Sequence, residues 1–500
     1  MRRILEMLRI YHIALVQSIY TVVICGGDPE TSTCESGSTC VPVGAEPGQK
    51  HWWPRCHGIP GAYGYTNFTG PWDLKGTQSW TWHHPVYRVV LGSLLDDAKN
   101  VYVNVLDGIR KFSPEGRMLW HYQPPGSTAL MTKASSILGG FIYGDFQTTV
   151  PNPNPSMTGH ISAAKMFAID IQTGKQAWLA TVFEGFTEGD TAYVEAHDGI
   201  VIAAYDKQFK VDREGNVRII AVNASDGSKL WEYVSGDILW NFQATFLGDG
   251  TFVAYDVHGG VQRIRMNDGS LVWQARPNQL NMNFAHNYWM NLSFSDGGVT
   301  ISPKGNMAYT CANVIGGQLG TPGVLHAYQV ENGLQVWQQV LPFPCVSWPA
   351  VDPTGTYVVV VLGNFAEGGR FNPLGAMAFE AQRGAVKWQF LHMAGLHHSG
   401  PKGDPEHGAV RSADKGYGQF RQGCGPASWG APMIDGKGTV YAANHNGLLY
   451  AINDFNGDGL IDNSEYQSFD VEVSSLHCGA GFAPGMMAYP TCDAVHVFRF

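Results

Sequence analysis

Six oxygen donors lie within one twelve-residue segment near the C-terminus, residues 454–465. They occupy positions 1, 3, 5, 7, 9 and 12 of the segment, where the seventh is a backbone carbonyl and the others are side chains. The predicted ligands are Asp454, Asn456, Asp458, the carbonyl of Leu460, Asp462 and Glu465. Hard oxygen donors at this spacing suit Ca²⁺ and do not suit zinc. The segment therefore predicts a calcium site.

The segment resembles the calcium loop of the EF-hand family. Gly459 at position 6 provides the sharp turn, Ile461 at position 8 is apolar, and Glu465 at position 12 can bind the ion through both carboxylate oxygens. The residues that lead into the loop, 448–453, read as a strand, whereas calcium sensors work by opening a pair of helices. We therefore expect a structural calcium that pins an outer hairpin. The alternative is an acidic surface turn without a metal.

A second metal candidate lies in a His-rich insertion, residues 392–428. His397, His398 and His407, with a neighbouring carboxylate, could bind a transition metal. Their spacing matches no established metal motif, and histidines in polar loops are commonly solvated. A solvated loop is therefore the alternative interpretation.

An internal repeat predicts the elements that position these residues. The pattern Gly-x-x-x-Trp, preceded by an apolar strand and a polar turn, occurs seven times. The copies are Gly76/Trp80, Gly116/Trp120, Gly174/Trp178, Gly227/Trp231, Gly269/Trp273, Gly333/Trp337 and Gly384/Trp388. Successive tryptophans are 40 to 64 residues apart, the size of a four-stranded propeller blade. We expect each glycine to adopt the positive φ of a hairpin turn and each tryptophan to fill the gap between neighbouring sheets.

One copy makes a family resemblance specific. The stretch 168–178 has Ala168 six residues before Gly174 and Trp178 four residues after it. It resembles the tryptophan-docking repeat of the pyrroloquinoline-quinone (PQQ)-type propellers, a superfamily that includes the quinoprotein alcohol dehydrogenases. Variants stand at 221–231, 327–337 and 378–388. The resemblance implies an all-β propeller of PQQ-type repeats.

The C-terminal part of the sequence supplies the strands of an eighth blade. An eighth outer strand follows the strand at 448–453, with Phe469 in the place of the tryptophan. The final segment, 480–500, ends on a strand with no Trp strand after it, whereas Trp80 has little strand sequence before it. We therefore expect an eight-bladed β-propeller over residues 68–500, closed into a ring by pairing of its N- and C-terminal strands.

Two segments precede the predicted propeller. Residues 1–27 combine basic residues with an apolar run and read as a signal peptide or signal anchor, with an amphipathic helix as the alternative. Residues 28–67 form a Cys-rich extension that disulfides are expected to hold. Removing the first segment lowers the cysteine count from nine to eight, and glycosylation sequons stand at Asn67, Asn223 and Asn291. These features predict a glycoprotein of the secretory pathway or the cell exterior.

The composition excludes several classes of protein. With 32 basic and 42 acidic residues, the net charge is −10 and no basic stripe is present, which argues against nucleic-acid binding. No uninterrupted run of 18 apolar residues occurs, which argues against a multi-pass membrane protein. The sequence contains neither a C-x-x-C-H haem motif nor the adjacent cysteines that lie over the cofactor in quinoprotein dehydrogenases. Catalytic and cofactor-binding residues therefore stay unassigned.

Two functions fit these observations. The first is a calcium-stabilised, non-catalytic scaffold that presents its loop faces to protein or glycan partners. The second, implied by the resemblance, is a PQQ-dependent oxidoreductase that acts on alcohols or sugars, with the quinone near the central axis. That enzyme would need an acidic residue and a metal-chelating carboxylate at the channel mouth. The missing cysteine pair and haem motif favour the scaffold.

Overall fold

The seven repeat tryptophans lie on the outer strands of four-stranded sheets. The computed structural model describes residues 51–500 except 60–63, 85–88, 90, 106, 126–131, 151–159, 185–192, 207–216, 237–238, 240–241, 257–258, 278–297, 314–321, 346, 364–373, 393–428, 445–446, 472–477 and 492–493. Over these residues the chain forms thirty-two strands and one short helix, so the protein is all-β. Its described helix is too short to span a membrane.

The first elements are α1 (Leu74–Thr77) and β1 (Gln78–His83). Blade 1 then comprises β2 (Leu94–Leu95), β3 (Val101–Val105), β4 (Gly108–Phe112) and β5 (Met118–Tyr122). Blade 2 comprises β6 (Thr132–Leu138), β7 (Phe141–Val150), β8 (His160–Asp170) and β9 (Gln176–Glu184). Blade 3 comprises β10 (Glu195–His197), β11 (Ile200–Asp206), β12 (Val217–Asn223) and β13 (Lys229–Val234). Blade 4 comprises β14 (Thr245–Phe246), β15 (Thr251–Tyr255), β16 (Val261–Arg265) and β17 (Leu271–Ala275).

The second half of the ring repeats this order. Blade 5 comprises β18 (Thr300–Ile301), β19 (Met307–Asn313), β20 (Gly323–Gln329) and β21 (Gln335–Val340). Blade 6 comprises β22 (Ala350–Val351), β23 (Tyr357–Leu362), β24 (Leu374–Glu380) and β25 (Val386–His392). Blade 7 comprises β26 (Met433–Ile434), β27 (Val440–Ala443), β28 (Leu448–Ile452) and β29 (Tyr466–Asp470). Blade 8 comprises β30 (Gly481–Ala483), β31 (Met486–Pro490), β32 (Ala494–Arg499) and the N-terminal strand β1.

The ring closes through blade 8, as the sequence predicts. Strand β1 pairs antiparallel with β32, in a register that places Trp80 opposite Val497 and Thr81 opposite His496. Because the two strands come from opposite ends of the described chain, this sheet joins the beginning of the ring to its end. The prediction of an eight-bladed propeller with a shared last blade is confirmed.

Six tryptophans dock on the turn of the next blade. The pairs are Trp80–Gly116, Trp120–Gly174, Trp178–Gly227, Trp231–Gly269, Trp273–Gly333 and Trp337–Gly384. The glycines have φ between +68° and +88°, and a Cβ on any of them would lie 2.5–2.8 Å from an indole atom. Each indole N–H also donates to a carbonyl of the same turn, at 2.7–3.1 Å. The repeat therefore encodes the contact between blades as well as the blade itself.

Gly76 is an exception to the predicted hairpin turn. It lies inside α1 and is absent from the positive-φ glycines. Its N–H donates to the Asp73 carboxylate at 2.8 Å, so it belongs to a capped helical turn. The physical reason is topological, since β1 enters blade 8 from the N-terminal segment and has no hairpin partner before it in the chain.

The prediction that Phe469 takes the tryptophan's place in blade 7 is wrong. In blades 2, 3, 5 and 6 the tryptophan faces an alanine, as Trp178 faces Ala168, whereas in blade 7 the corresponding Ala451 faces Gln467. In blades 1 to 6 the position of the tryptophan follows from its distance to the glycine of a short turn. In blade 7 a twelve-residue loop replaces that turn and sets the register of β29. Phe469 nevertheless lies between blades, with its ring 5.3 Å from that of Phe498 in blade 8.

The first strand of each blade lies nearest the axis. First strands of neighbouring blades contact each other, as β2 does with β6 and with β30, and as β22 does with β18 and with β26. Those whose burial is described are buried along their length, whereas β5, β13, β17 and β21 alternate between exposed and partly buried residues. The innermost layer of the ring is therefore formed by the first strands β2, β6, β10, β14, β18, β22, β26 and β30.

Candidate functional site

The predicted calcium loop joins two strands of blade 7. It runs from the end of β28 to the start of β29 and so replaces the short turn that other blades have at this place. The N–H of Asn453 donates to the carbonyl of Glu465 at 2.9 Å, which closes the loop in the manner of a hairpin. The loop is therefore held between two strands rather than between two helices.

Three carboxylates meet inside the loop. Asp454, Asp458 and Glu465 each place an oxygen within 4.8 Å of the other two. Glu465 is 2% exposed, and its two oxygens accept the backbone N–H groups of Asn456 (3.0 Å) and Asp462 (3.2 Å). Three carboxylates at this separation repel one another unless a cation lies between them. Their oxygens are the donors that Ca²⁺ prefers.

The other three predicted ligands lie around this cluster. Asn456 accepts the N–H of Asp458 at 2.7 Å and donates its amide to the same residue's carboxylate at 3.2 Å. Asp462 turns away, because its carboxylate accepts both the N–H and the hydroxyl of Ser464 at 2.6 Å, and these bonds lower the pKa of Asp462. Leu460 donates its N–H to Asp458 at 2.8 Å. The structure thus brings three of the six predicted ligands together and leaves Asp462 bound within its own turn.

The loop pairs with the outer strand of blade 6. The N–H of Gln389 in β25 donates to the carbonyl of Gly459 at 3.1 Å, and the N–H of Ile461 donates to the carbonyl of Gln389 at 3.4 Å. These bonds form a parallel bridge between Gln389 and Leu460. Gly459 has φ +84°, and a Cβ there would lie 3.0 Å from the carbonyl of Lys387. The predicted calcium loop is therefore in main-chain contact with its neighbouring blade.

The opposite side of the loop contacts the segment that closes the ring. Phe455 and Trp72 make an edge-to-face contact with ring centroids 4.8 Å apart. Trp72 directly precedes the turn that leads through α1 into β1. The loop thus bridges blade 6 and the segment that leads into the N-terminal strand of blade 8. It lies at the junction where Trp388 of blade 6 has no glycine turn of the repeat to pack against.

Residues 51–59, which we call the axial segment, run through the centre of the ring. Trp53 exchanges two main-chain hydrogen bonds with Leu95 of β2, at 2.9 and 3.0 Å, and the carbonyl of Pro54 accepts the N–H of Ile137 in β6 at 2.7 Å. On the far side, the ring of His57 lies 4.2 Å from that of Trp348, next to β22. Contacts with the inner strands of blades 1 and 2, and with Trp348 just before the inner strand of blade 6, place this segment near the axis of the ring.

Arg55 is the charged residue of the axial segment and is 2% exposed. Its guanidinium donates to the carbonyl of Ala196, lies 4.2 Å from the ring centroid of Phe246, and places Nε 3.8 Å from the carboxylate of Glu195. Burial raises the pKa of Glu195 to about 8, although the nearby Arg55 lowers it. The desolvation cost of the carboxylate therefore outweighs its attraction to the guanidinium.

Comparisons with known proteins agree with this architecture. A family model described as outer membrane protein assembly factor BamB matches residues 162–286 and 257–402. The solved structure of BamB from Moraxella catarrhalis has a TM-score of 0.53 at 13% identity, covering 85% of this chain and 99% of its own. Quinohaemoprotein alcohol dehydrogenase from Comamonas testosteroni has a TM-score of 0.59 at 11% identity, covering 90% of this chain and 80% of its own.

A second alcohol dehydrogenase of this kind, ADHIIG from Pseudomonas putida HK5, has a TM-score of 0.56 at 9% identity and covers 92% of this chain and 83% of its own. The repeat, the eight blades and the family model agree. The chain is an eight-bladed β-propeller that is similar to the PQQ-like propellers. No curated protein matches its sequence. At the identities of the solved structures the similarity concerns the fold, so activity must be argued from the site.

The centre of this propeller does not fit a quinone. In the oxidoreductase alternative, the family resemblance implies a quinone near the central axis. The described residues place the chain's own axial segment there. Glu195, the buried carboxylate of the inner strand β10, faces Arg55 of that segment rather than an open chamber. The buried carboxylate and guanidinium therefore face each other at the place that a quinone would need.

Three further features bear on the site, and only the first of them is a prediction from the sequence. His397, His398 and His407 of the insertion at 392–428 lie outside the described residues, so that metal hypothesis stays a prediction. His84 is buried, with Nε2 3.2 Å from the Arg110 guanidinium and 3.6 Å from the Asp107 carboxylate, which makes it part of an ion-pair cluster. A disulfide joins Cys311 of β19 to Cys345 near β22, and so links blades 5 and 6 of this propeller.

Sequence reasoning missed the axial segment. Residues 51–59 show neither strand alternation nor the propeller repeat, and they fall in the region interpreted as a Cys-rich extension. The available signal was the concentration of Trp52, Trp53, Arg55 and Cys56 within five residues, since large aromatics are mostly buried in folded proteins. The pairing of this segment with inner strands is long-range and left no local pattern.

Proposed function

We propose that the protein is a non-catalytic, calcium-stabilised scaffold that binds a protein partner on a loop face of the propeller. The observation that carries the proposal is the axial segment. A propeller filled along its axis by its own chain offers binding surfaces on its faces instead of a cofactor chamber. The description of the matching family as an assembly factor supports a role in protein binding.

The proposed calcium site gives this scaffold a reinforced junction. Six tryptophan–glycine docks hold successive blades together, but the twelve-residue loop replaces the turn that would receive Trp388. In its place the loop backbone pairs with Gln389 of blade 6. A cation held by Asp454, Asp458 and Glu465 would fix the loop in the conformation that makes this pairing, because it removes the repulsion among the three carboxylates.

We place the protein in the secretory pathway or outside the cell. The disulfide between Cys311 and Cys345 supports this location, since disulfides persist in oxidising compartments. Asn67, the first sequon, is exposed and therefore accessible to a glycan. The N-terminal signal segment, residues 1–27, lies outside the described residues and stays a prediction.

Titration with PQQ tests the scaffold against the oxidoreductase. The purified protein is titrated with PQQ, with and without calcium, by calorimetry and tryptophan fluorescence. An apo-quinoprotein alcohol dehydrogenase serves as the positive control. We expect no saturable binding up to about 100 µM PQQ, well above the range of a functional cofactor site. Saturable, calcium-dependent binding with dye reduction in the presence of alcohols or sugars would overturn the proposal.

A further inference from the structure

Two buried cysteines meet where the axial segment contacts the last blade. Cys56 is 1% exposed and Cys478, which lies three residues before β30, is fully buried. Both sulfurs lie 3.5 Å from the position that a Cβ on Gly92 would take, and both thiols are free in the structure. The N–H of Gly92 also points at the sulfur of Cys56, at 3.4 Å. Thus a residue of the N-terminal segment and a residue of the C-terminal blade share one enclosed site.

The residues around this site leave just enough room for the two cysteine side chains. A Cβ on Gly92 would lie 2.6 Å from the Cβ of Cys478 and 3.5 Å from the sulfurs of both cysteines, so only glycine leaves the pair enough room. On the other side the Cys478 thiol contacts the Tyr193 hydroxyl at 3.5 Å. The pair is therefore enclosed by residues that precede two different inner strands, β2 and β10.

We propose that Cys56 and Cys478 form a disulfide that fixes the axial segment to blade 8. Each thiol loses one proton and one electron as the S–S bond forms. A small-molecule disulfide such as oxidised glutathione accepts the two electrons and two protons and is reduced to two thiols. The exchange takes place while the chain folds, before burial closes the site, through a mixed disulfide between one cysteine and half of the oxidant.

This disulfide closes the longest loop available to the described cysteines. The two residues are 422 positions apart, against 34 for Cys311 and Cys345. A cross-link of that span restricts the unfolded chain strongly. It also holds the axial segment at the point where the ring begins and ends, beside Trp53 and Phe482, whose rings lie 5.5 Å apart. The inference is independent of calcium and of the scaffold function.

Mass spectrometry tests the proposal. The full chain is produced in an oxidising compartment, denatured at low pH with an alkylating agent, digested and mapped without reduction. We expect a linked peptide pair that contains Cys56 and Cys478, lost in the Cys478→Ser variant, where Cys56 becomes alkylated. Alkylation of both residues in the wild-type protein, or linkage of Cys56 to Cys34 or Cys40, would overturn it.

A second readout does not depend on peptide recovery. Reduction with a phosphine should lower the Tm of the wild-type protein by about 5 °C more than that of the Cys56→Ser/Cys478→Ser double variant. The Cys311–Cys345 disulfide is present in both proteins, so it contributes equally to both shifts. Equal shifts in the two proteins would contradict the cross-link.

Discussion

At the scale of single residues, Arg55 is a buried cation whose partners come from two blades. It donates to the carbonyl of Ala196 and faces the carboxylate of Glu195 in blade 3, and it lies over the ring of Phe246 in blade 4. Removing one partner of a buried charged pair leaves the other uncompensated, and this is more costly than losing a surface ion pair. The axial segment is thus anchored by charge as well as by its aromatic residues.

Glu195 should make the stability of the protein depend on pH. Burial raises the pKa of its carboxyl to about 8 from an ordinary value of 4.5, so between these values the folded state holds more protons than the unfolded state. Its contribution to the free energy of unfolding is therefore complete below pH 4.5 and falls as pH rises, by about 1 kcal/mol per pH unit. The Glu195→Gln variant, whose side chain cannot ionise, should lose this part of the slope.

Thermal unfolding between pH 6.5 and 8 measures this effect. His57 and His326 act in the opposite direction, because burial lowers their pKa values to about 3 and about 4, but their contribution fades above pH 6.5 and is the same in both proteins. We expect Tm to fall less with rising pH in Glu195→Gln than in the wild-type protein. The exposed Glu331→Gln variant controls for the loss of one charge. Identical slopes for wild type and Glu195→Gln would show that the buried carboxyl is ionised throughout.

At the scale of the elements, the tryptophan docks explain both what could be predicted from the sequence and what could not. The Gly-x-x-x-Trp copies predict the fourth strand of a blade and the turn before it, because the glycine and the tryptophan are only four residues apart in the chain. Gly76 and Phe469 break the rule at the two blades that lack a short hairpin at this place. The carboxylate cluster was predictable from spacing alone, whereas the direction of Asp462 depends on a hydrogen bond to Ser464.

Two glycine substitutions separate docking from backbone strain. Gly384→Ala forces a Cβ to 2.7 Å from the Trp337 indole at φ +71°, whereas Gly305→Ala has φ +69° and no atom within 4 Å of the new Cβ. We expect a Tm loss of about 1 °C for Gly305→Ala, from strain alone, and about 3 °C or more for Gly384→Ala. Differential scanning calorimetry gives both values. Equal losses would mean that the docks do not hold the blades together.

At the scale of the whole molecule, neighbouring blades are joined by different kinds of contact around the ring. Six junctions have a tryptophan–glycine dock, and blades 5 and 6 also share the disulfide Cys311–Cys345. Blades 6 and 7 meet through the predicted calcium loop, and blade 8 closes by pairing β1 with β32. The axial segment contacts inner strands on opposite sides of the ring. Calcium is therefore expected to matter most at the one junction where the loop stands in for a dock.

The central claim is that calcium in this loop stabilises the propeller. It is tested most directly by the Tm in calcium and in chelator for three proteins. These are the wild type, Asp454→Ala/Glu465→Ala, and the control Asp226→Ala/Asp268→Ala, whose exposed aspartates occupy the outer turns of blades 3 and 4. At a calcium concentration of about 100 times Kd, we expect a rise of about 3 °C in the wild type and the control, and none in the loop variant. An equal rise in all three proteins would contradict the account.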